Sequence, residues 1–312
     1  MRDFDIVVLG EVNVDLILGP EAQPVFGQVE TVVEDATLTI GGSGTIFACG
    51  AARLDLRVGY CGVVGDDFFG RFMLESLQAR NVDTRGIVVD PALKTGLSVI
   101  LNVPGDRAIL TYLGAIDALD VRQVDRRLLA RARHVHVTSY FLQHSLRPGL
   151  APLLAEARAG GATVSLDTNW DPSEAWDHGL WQVLQQTDVF LPNEQEALAI
   201  AGCDHLGEAL DRLGAVVPAV VVKRGVDGAT CRHDGRTVSD PGFRLDEGDV
   251  VDTTGAGDSF NAGFLYGFLN GWEIEQSLAL ACACGALSTR AAGGTTAQPT
   301  LPEAQGLIQQ RA

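Results

Sequence analysis

Lysine is almost absent from this sequence. The two lysines are Lys94 and Lys223, and neither lies in the GxxxxGK[ST] pattern of a phosphate-binding P-loop. Backbone amides, arginines and a metal ion must therefore hold any nucleotide phosphates that the protein binds. Long apolar runs are also missing, and the first residues carry two acids around a short strand-like run, unlike a signal peptide. We expect a cytoplasmic protein that does not bind a membrane.

The sequence has no excess of positive charge either. Its formal net charge of −17 argues against nucleic acid or an anionic membrane as a partner, since both require a basic surface. The cysteines lack the paired spacing of a metal site, so we expect most of them to be core thiols. What the chain does have is 312 residues with 46% hydrophobic content, enough for one large α/β domain, alone or with a small appendage.

Residues 249–265, DVVDTTGAGDSFNAGFL, are the most informative stretch. The short apolar run that ends at Val251 predicts a strand, and the helical spacing of the small and apolar residues after it predicts a helix. The first turn of that helix contains Gly255, Ala256, Gly257 and Asp258. The first amides of a helix have no partner within it and carry the positive end of its dipole, so they can bind an anion such as a phosphate.

Asp258 is unexpected beside such a site because a fixed carboxylate repels an anion. Its place suits a general base that takes the proton of a substrate hydroxyl while the oxygen attacks a phosphoryl group held by the amides of Gly255, Ala256 and Gly257. A capped helix start would explain an isolated GAGD, because Asp and Thr are good caps and Gly is common in turns. The ordered change from strand to turn to helix favours the functional interpretation.

The run from Asp252 to Leu265, DTTGAGDSFNAGFL, resembles the C-terminal signature of the ribokinase-type (PfkB) carbohydrate kinase family. Other segments follow that family's order along nearly the whole chain. The resemblance implies an ATP-dependent kinase that uses Mg²⁺ and phosphorylates a small sugar or a nucleoside. Asp252, Thr254 and the loop 290–296 also resemble a potassium site of some members, which implies K⁺ as a further cofactor.

Polar side chains follow the first predicted strand, FDIVVLG at 4–10. Asn13 and Asp15 lie on one face of the next segment, just past the carboxyl end of that strand, where ligands of open α/β sheets bind. Solvated polar residues on a half-exposed strand are the alternative. By resemblance, both residues match the hydroxyl-binding positions of the family, with Asp15 the stronger candidate.

Residues 41–44, GGSG, open a predicted helix that extends through Ala52, and their glycines let a ligand approach the backbone. A dinucleotide-binding GxGxxG pattern fails because Phe47 stands where the third glycine would be. The segment resembles the substrate-binding double glycine of the family. Its candidate residues are Gly41, Gly42 and Ser43. The family normally has Asn where this sequence has Ile46, so one hydrogen-bonding side chain is missing from the predicted sugar pocket.

Asp167 and Asn169 end the predicted strand ATVSLDTNWDP, again on the ligand side of the sheet. The family often continues this segment with an arginine, where this sequence has Asp171. The missing cation argues against a substrate that already carries a phosphate or carboxylate. Cys282 likewise stands where the family usually has an Asn near the nucleotide base.

Two further segments are expected at the nucleotide. DVFLPNEQE, 188–196, predicts a short strand and then a helix that begins near Asn193, whose acids complement the helix dipole. By resemblance, Asn193 and Glu196 match a motif that organises Mg²⁺ and its water around the phosphates, and one indirect Glu suits that ion. AVVVKRGVDGA, 219–229, predicts two strands joined by a glycine turn. The segment resembles the nucleotide-binding segment of the family, which implies contacts to ATP from Lys223, Arg224, Gly225 and Gly228, together with Gly257. An ordinary hairpin is the alternative for this segment alone.

The alternation of strands and helices predicts a doubly wound α/β fold with a mostly parallel sheet and helices on both faces. TGLSVILNV and RAILTYL, separated by Pro104-Gly105-Asp106, predict a hairpin. Together with the early strands, which include a predicted strand at 29–40, it could form a small separate sheet. The lid of the family is built from such segments, so the resemblance implies a β-sheet lid from roughly residues 11–40 and 95–115, inserted in a single domain. A homodimer through the lid is an arrangement that the sequence leaves open.

The predicted reaction is transfer of the γ-phosphoryl group of ATP to a primary hydroxyl of a small polyol, with lid closure excluding water. A dinucleotide-dependent oxidoreductase is disfavoured by the failed glycine pattern. A non-catalytic sensor of sugars or nucleotides on the same fold is disfavoured by the intact Asp258. A nucleoside kinase stays open because Phe47, Tyr112 and Tyr140 could line a pocket for a base.

Overall fold

The computed structural model describes residues 2–19, 21–103, 106–245 and 248–311, and these residues form thirteen strands and ten α-helices. The strands are β1 Phe4–Leu9, β2 Asn13–Gly19, β3 Asp35–Gly41, β4 Val58–Gly65, β5 Val82–Asp90, β6 Gly96–Val103, β7 Asp106–Tyr112, β8 Ala132–Val137, β9 Thr163–Leu166, β10 Val189–Phe190, β11 Ala219–Lys223, β12 Ala229–His233 and β13 Arg236–Asp240. The helices are α1 Ser43–Arg53, α2 Phe68–Gln78, α3 Arg126–Leu129, α4 Arg147–Ala159, α5 Leu180–Leu184, α6 Glu194–Ala201, α7 Leu206–Gly214, α8 Ala256–Leu269, α9 Ile274–Ser288 and α10 Leu301–Arg311.

The centre of the fold is a nine-stranded sheet with the strand order β13-β12-β11-β10-β9-β8-β1-β4-β5. Its pairs are parallel except at β11-β12 and β12-β13. Successive residues of β1 face opposite layers, because Ile6 and Val8 pack in one hydrophobic cluster and Val7 and Leu9 in the other. Helices α1, α2, α8 and α9 pack in the first cluster, and α4, α6 and α7 pack in the second. The predicted doubly wound fold is confirmed.

Four strands form a separate small sheet in the order β3-β2-β6-β7. β2 pairs antiparallel with β3 and parallel with β6, and β6 pairs antiparallel with β7. This is the second sheet expected from the sequence, and the two strands of the predicted hairpin are both present. The residues Pro104 and Gly105 of its predicted turn lie outside the described residues. That the small sheet acts as a lid stays a prediction.

Two predicted strands are wrong in extent or kind. The strand expected at 29–40 begins only at Asp35, and residues 29–34 are mostly exposed without regular structure. No strand leads into α8 within residues 248–255, and Val250 and Val251 are about half-exposed. The amides of Val251 and Asp252 donate instead to the carbonyl of Thr289. A pair of valines favours a strand only where a sheet edge is available to pair with it.

None of the helices in the described part of the chain combines the length and the apolar character that crossing a bilayer requires.

Candidate active site

The strand order of the large sheet reverses between β1 and β8, and the crevice at such a reversal is where ligands of α/β folds bind. Glu11 follows β1 at this point and is buried. Its carboxylate accepts hydrogen bonds from Gly44 N at 3.2 Å, Thr138 Oγ1 at 3.0 Å and Ser139 Oγ at 2.8 Å. Burial raises the pKa of Glu11. Our sequence interpretation missed this residue, although it directly follows a buried strand.

Four of the residues predicted to bind the substrate lie together beside this crevice. Asn13 and Asp15 are buried, and Asn13 Nδ2 donates to Asp15 Oδ1 at 3.2 Å. A Cβ atom at Gly41 would overlap Asp15 Oδ1, and one at Gly42 would lie 2.6 Å from Asn13 Oδ1. Only glycine therefore leaves room for these side chains. Burial, with the charges of Glu11 and Asp252, raises the pKa of Asp15 to about 7.

Helix α8 begins at Ala256, after its N-cap residue Gly255, whose φ of 74° is left-handed. Glycine has no side chain that could cap the helix, and the amide of Ala256 donates to the carbonyl of Thr253 at 3.3 Å. Asp258 lies in its first turn and accepts a hydrogen bond from Ser43 Oγ, at the start of α1. Burial, followed by the charge of Asp167, raises the pKa of Asp258 to about 7, although the Ser43 hydrogen bond and Lys223 act in the opposite direction. The structure therefore brings three features together: a carboxyl group with a pKa of about 7, the double-glycine segment, and a helix N-terminus without a side-chain cap.

A buried cation lies beside the same helix start. Lys223 Nζ donates to Asp167 Oδ2 at 2.6 Å, and Asn261 Nδ2 donates to the same oxygen at 2.5 Å. A Cβ atom at Gly257 would lie 3.6 Å from Lys223 Nζ. Burial alone would lower the pKa of Lys223, but the neighbouring carboxylates outweigh it and raise that pKa. Lys223 therefore stays charged. Asn261 was not identified from the sequence, where it is a polar residue in an apolar helix.

Asn193 and Glu196 form a capping box at the start of α6. Asn193 Oδ1 accepts from Glu196 N at 2.8 Å, and Glu196 Oε2 accepts from Asn193 N at 2.9 Å. Burial and the charge of Asp167 raise the pKa of Glu196 to about 7, while Lys223 lowers it. Within the described ranges no three His, Cys, Asp or Glu side chains cluster as metal ligands. These residues fit Mg²⁺ only as a single carboxylate acting through water, with the phosphates as the main ligands.

A cavity of about 500 Å³ opens beside the start of α8, the turn between β11 and β12, and α9. The predicted nucleotide residues Lys223, Gly225, Gly228 and Gly257 line it. Arg224 is not among the lining residues, and its Nε donates to Glu194 Oε2 at 3.2 Å instead. Cys282 and several apolar side chains line the remainder.

The oxygens expected to bind a monovalent cation already have donors. Asp252 Oδ1 accepts from Thr254 N at 2.8 Å, and Oδ2 accepts from Gly293 N at 2.9 Å. Arg107 Nη1 donates to Thr254 Oγ1 at 2.8 Å and lies 3.6 Å from Asp252 Oδ1. A guanidinium therefore lies where a cation bound to Asp252 and Thr254 would be, and these two residues do not fit K⁺.

The residues that depart from the family pattern have structural contacts of their own. Ile46 is buried, and its side chain would lie within 2.8 Å of a Cβ atom at Gly255 or Gly294. It therefore fills the space behind the turn that leads into α8. Asp171 accepts hydrogen bonds from Ser173 N at 2.9 Å and Trp176 N at 2.8 Å, so it closes a local turn.

The aromatic residues that a nucleoside base could contact are mostly unavailable. Phe47 is buried and packs on His136 with ring centroids 3.9 Å apart. Tyr140 is buried, and its hydroxyl donates to the carbonyl of His178 at 2.8 Å. Tyr112, on β7, is exposed. The described residues therefore offer one of the three expected aromatics to a base.

Comparison with known proteins agrees with this geometry. A model described as pfkB family carbohydrate kinase matches residues 3–301. The chain is 31% identical over 310 residues to an ATP-dependent ribose-1-phosphate kinase of Halopiger xanaduensis, covering 98% of each chain. It is 34% identical over 276 residues to a fructokinase of Klebsiella pneumoniae, covering 83% of this chain and 88% of that one. A structure with ATP and Mg²⁺, described as a candidate ribokinase II of E. coli, is 27% identical with a TM-score of 0.88, covering 98% and 99% of the two chains.

Proposed function

The chain belongs to the pfkB family of carbohydrate kinases, and we propose that it transfers the γ-phosphoryl group of ATP to a hydroxyl group of a small carbohydrate. One observation carries this proposal: the Asp258 carboxyl lies in the first turn of an uncapped helix and is hydrogen-bonded to Ser43 of the double-glycine segment. The proposed base, the proposed anion site and the proposed hydroxyl-binding segment would thus share one cleft.

On the acceptor side, Asp15 and Asn13 would bind the hydroxyl groups of the sugar, and the glycines at 41 and 42 let the ring approach the backbone. Asp258 would accept the proton of the attacking hydroxyl. Ser43 Oγ donates to this carboxylate and so orients it before the acceptor binds. Because the pKa of Asp258 is raised to about 7, the carboxylate is a stronger base than an ordinary aspartate while still being largely ionised above neutral pH.

On the nucleotide side, the amides of Gly255, Ala256 and Gly257 would stabilise negative charge on the transferred phosphoryl group. Lys223 lies close enough to Gly257 to add a positive charge there. Magnesium bound with ATP would neutralise part of the phosphate charge, and Glu196 is the residue that would hold it through water. Asp167 keeps Lys223 in position by accepting its hydrogen bond.

The relatives suggest which acceptors to test. One relative is named for ribose-1-phosphate, a sugar phosphate, and another is a fructokinase. Sugar phosphates therefore belong in the screen beside free sugars, although Asp171 stands where a cation would favour a phosphorylated substrate. The burial of Phe47 and Tyr140 favours a sugar over a nucleoside, since a base needs a flat apolar wall. A homodimer through the small sheet stays a prediction, supported by the exposed side chains of Ile109, Leu110 and Tyr112 on β7.

An acceptor screen tests the proposal. ATP consumption is measured with free sugars, sugar acids, sugar phosphates and nucleosides, for the wild type and for Asp258→Asn. We expect turnover with at least one sugar and a loss of about 10³- to 10⁴-fold in kcat for the variant, because the general base is gone. Binding of ATP, measured by calorimetry, should be retained.

Asp66→Asn is the matched control, because Asp66 is an exposed aspartate paired with Arg71 at the surface. It should keep wild-type turnover. Near-normal turnover of Asp258→Asn would refute the assigned base, and wild-type enzyme without activity towards any acceptor would refute the proposed reaction.

A further inference from the structure

Arg107 reaches from the small sheet to the segment that leads into helix α8. It lies on β7, whereas Asp252 and Thr254 lie just before Gly255, the N-cap residue of α8. Its Nη1 atom donates to Thr254 Oγ1 at 2.8 Å and lies 3.6 Å from Asp252 Oδ1. One side chain of the small sheet is therefore in direct contact with the turn that forms the proposed anion site.

The segment that Arg107 contacts is held by short, well-defined hydrogen bonds. Asp252 has a side chain that is only 9% exposed, and its two oxygens accept from Thr254 N and Gly293 N. Its carboxylate thus links the segment 252–254 to the loop around Gly293. A buried carboxylate with few donors needs a nearby positive charge, because burial without a partner is costly. Arg107 provides that charge at the solvent side.

The charge of Arg107 also affects the pKa of Asp15, a residue of the proposed acceptor pocket. Asp252 acts to raise the pKa of Asp15, and Arg107 acts to lower it. The guanidinium thus offsets the repulsion that the Asp252 carboxylate exerts on Asp15. A cation at this place therefore affects both halves of the site, the turn before α8 and the residue expected to bind the sugar.

We propose that Arg107 is a positioning residue that supplies beside Asp252 and Thr254 the positive charge for which other members of the family use a monovalent cation. The inference rests on the proposed kinase function and adds to it that the enzyme needs no K⁺. Because the charge comes from the small sheet, it reaches the turn before α8 only while that sheet lies over the cleft. Closure of the sheet and assembly of the anion site are then one event.

The first test compares salts at equal ionic strength. We expect the wild type to have the same kcat and the same thermal unfolding temperature in potassium chloride and in tetramethylammonium chloride, whose cation is too large for such a site. Activation or stabilisation by K⁺ in the wild type would overturn the inference.

The second test removes the charge. Arg107→Gln keeps much of the length of the side chain, and we expect it to lower kcat about 10- to 100-fold in tetramethylammonium, since a misplaced turn misaligns the phosphoryl group. Potassium or guanidinium ions should restore part of the activity and raise the unfolding temperature of the variant. Arg107→Lys should keep most of the activity because it keeps the charge.

Arg85→Ala is the matched control, since Arg85 pairs with Asp83 at the surface of β5, and it should behave as the wild type in every salt. Wild-type behaviour of Arg107→Gln would overturn the inference, and so would a loss confined to the KM of the acceptor, which would make Arg107 a substrate ligand. If no acceptor were phosphorylated, the proposed function would fail, but the unfolding temperatures in the two salts would still decide the role of Arg107.

Discussion

Helices α1 and α8 begin in a similar way. Each starts after a glycine with positive φ, 82° at Gly42 and 74° at Gly255, and a glycine has no side chain that could cap the helix. The two starts also touch, because Ser43 donates to Asp258. The two helices differ in the first turn after the glycine. In α1 the amide of Gly44 donates to the buried carboxylate of Glu11.

The first turn of α8 instead contains the carboxyl of Asp258, which faces α1. At the start of α1 the Gly44 amide already donates to the Glu11 carboxyl, so this amide is not available to a second acceptor. The start of α8 has Lys223 beside it and is the place where a phosphate would be stabilised. In the proposed mechanism the two helix starts have different roles: α1 would position the acceptor, and α8 would bind the transferred group.

Gly257→Ala should disturb phosphoryl binding at the start of α8 directly. The new methyl group would lie 3.6 Å from Lys223 Nζ, in the space proposed for the phosphoryl group, without any backbone clash. We expect kcat/KM to fall about 100-fold, while helix propensity raises the stability by up to about 1 kcal/mol.

The control for this variant is Gly306→Ala in α10, where a Cβ atom would meet nothing within 4 Å. It should gain similar stability with unchanged kinetics. Full activity of Gly257→Ala would show that the phosphoryl group is held elsewhere.

The pKa of Asp258 links the site to stability. Its folded-state pKa of about 7 exceeds the ordinary value of 3.8, so the folded protein binds this proton more tightly than the unfolded chain. The stabilisation is complete below the ordinary value and is lost as the pH rises through about 7. Between pH 5 and pH 8 the wild type should therefore lose about 2 kcal/mol more unfolding free energy than Asp258→Asn.

Denaturant unfolding at the two pH values measures this difference. The same ionisation predicts that kcat/KM of the wild type rises with pH up to about 7, because the base must be deprotonated. Parallel stability curves for the two proteins would mean that burial does not raise the pKa of Asp258.

Asp15→Asn should have the smallest kinetic effect of these variants, and it tests whether the residues beside α1 bind the acceptor. Asparagine has nearly the same shape and fits beside Gly41, but it lacks the charge and one acceptor for a sugar hydroxyl. We expect the KM of the acceptor to rise about tenfold, the equivalent of one charged hydrogen bond, with the KM of ATP unchanged. Steady-state kinetics with each substrate varied in turn separates the two constants, and an equal rise in both would contradict the division between α1 and α8.

Much of the fold and of the candidate site could be predicted from local pattern. The transition at Gly255 into an apolar helix, the glycines before α1, and the cap at Asn193 all depend on short-range backbone chemistry, and the structure shows helices beginning at each. The wrong strand before α8 shows the limit of this reasoning. Val250 and Val251 have strand propensity, but pairing needs a neighbouring edge that sequence does not reveal.

Long-range partners were the part that sequence could not provide. Glu11, Asn261 and Arg107 are each unremarkable in their own segments, and their partners lie far away in the chain. The Glu11 carboxyl accepts hydrogen bonds from Thr138 and Ser139, and Asn261 donates one to Asp167. Arg107 donates a hydrogen bond to Thr254 and pairs with Asp252.

The sequence by itself determined the helix starts, the alternation of strands and helices, and the family, because these depend on residue types at fixed short spacings. Only the tertiary structure decided which charges face each other. Burial and distance set the pKa of Asp258 and the pairing of Arg107, and both are properties of the packed molecule.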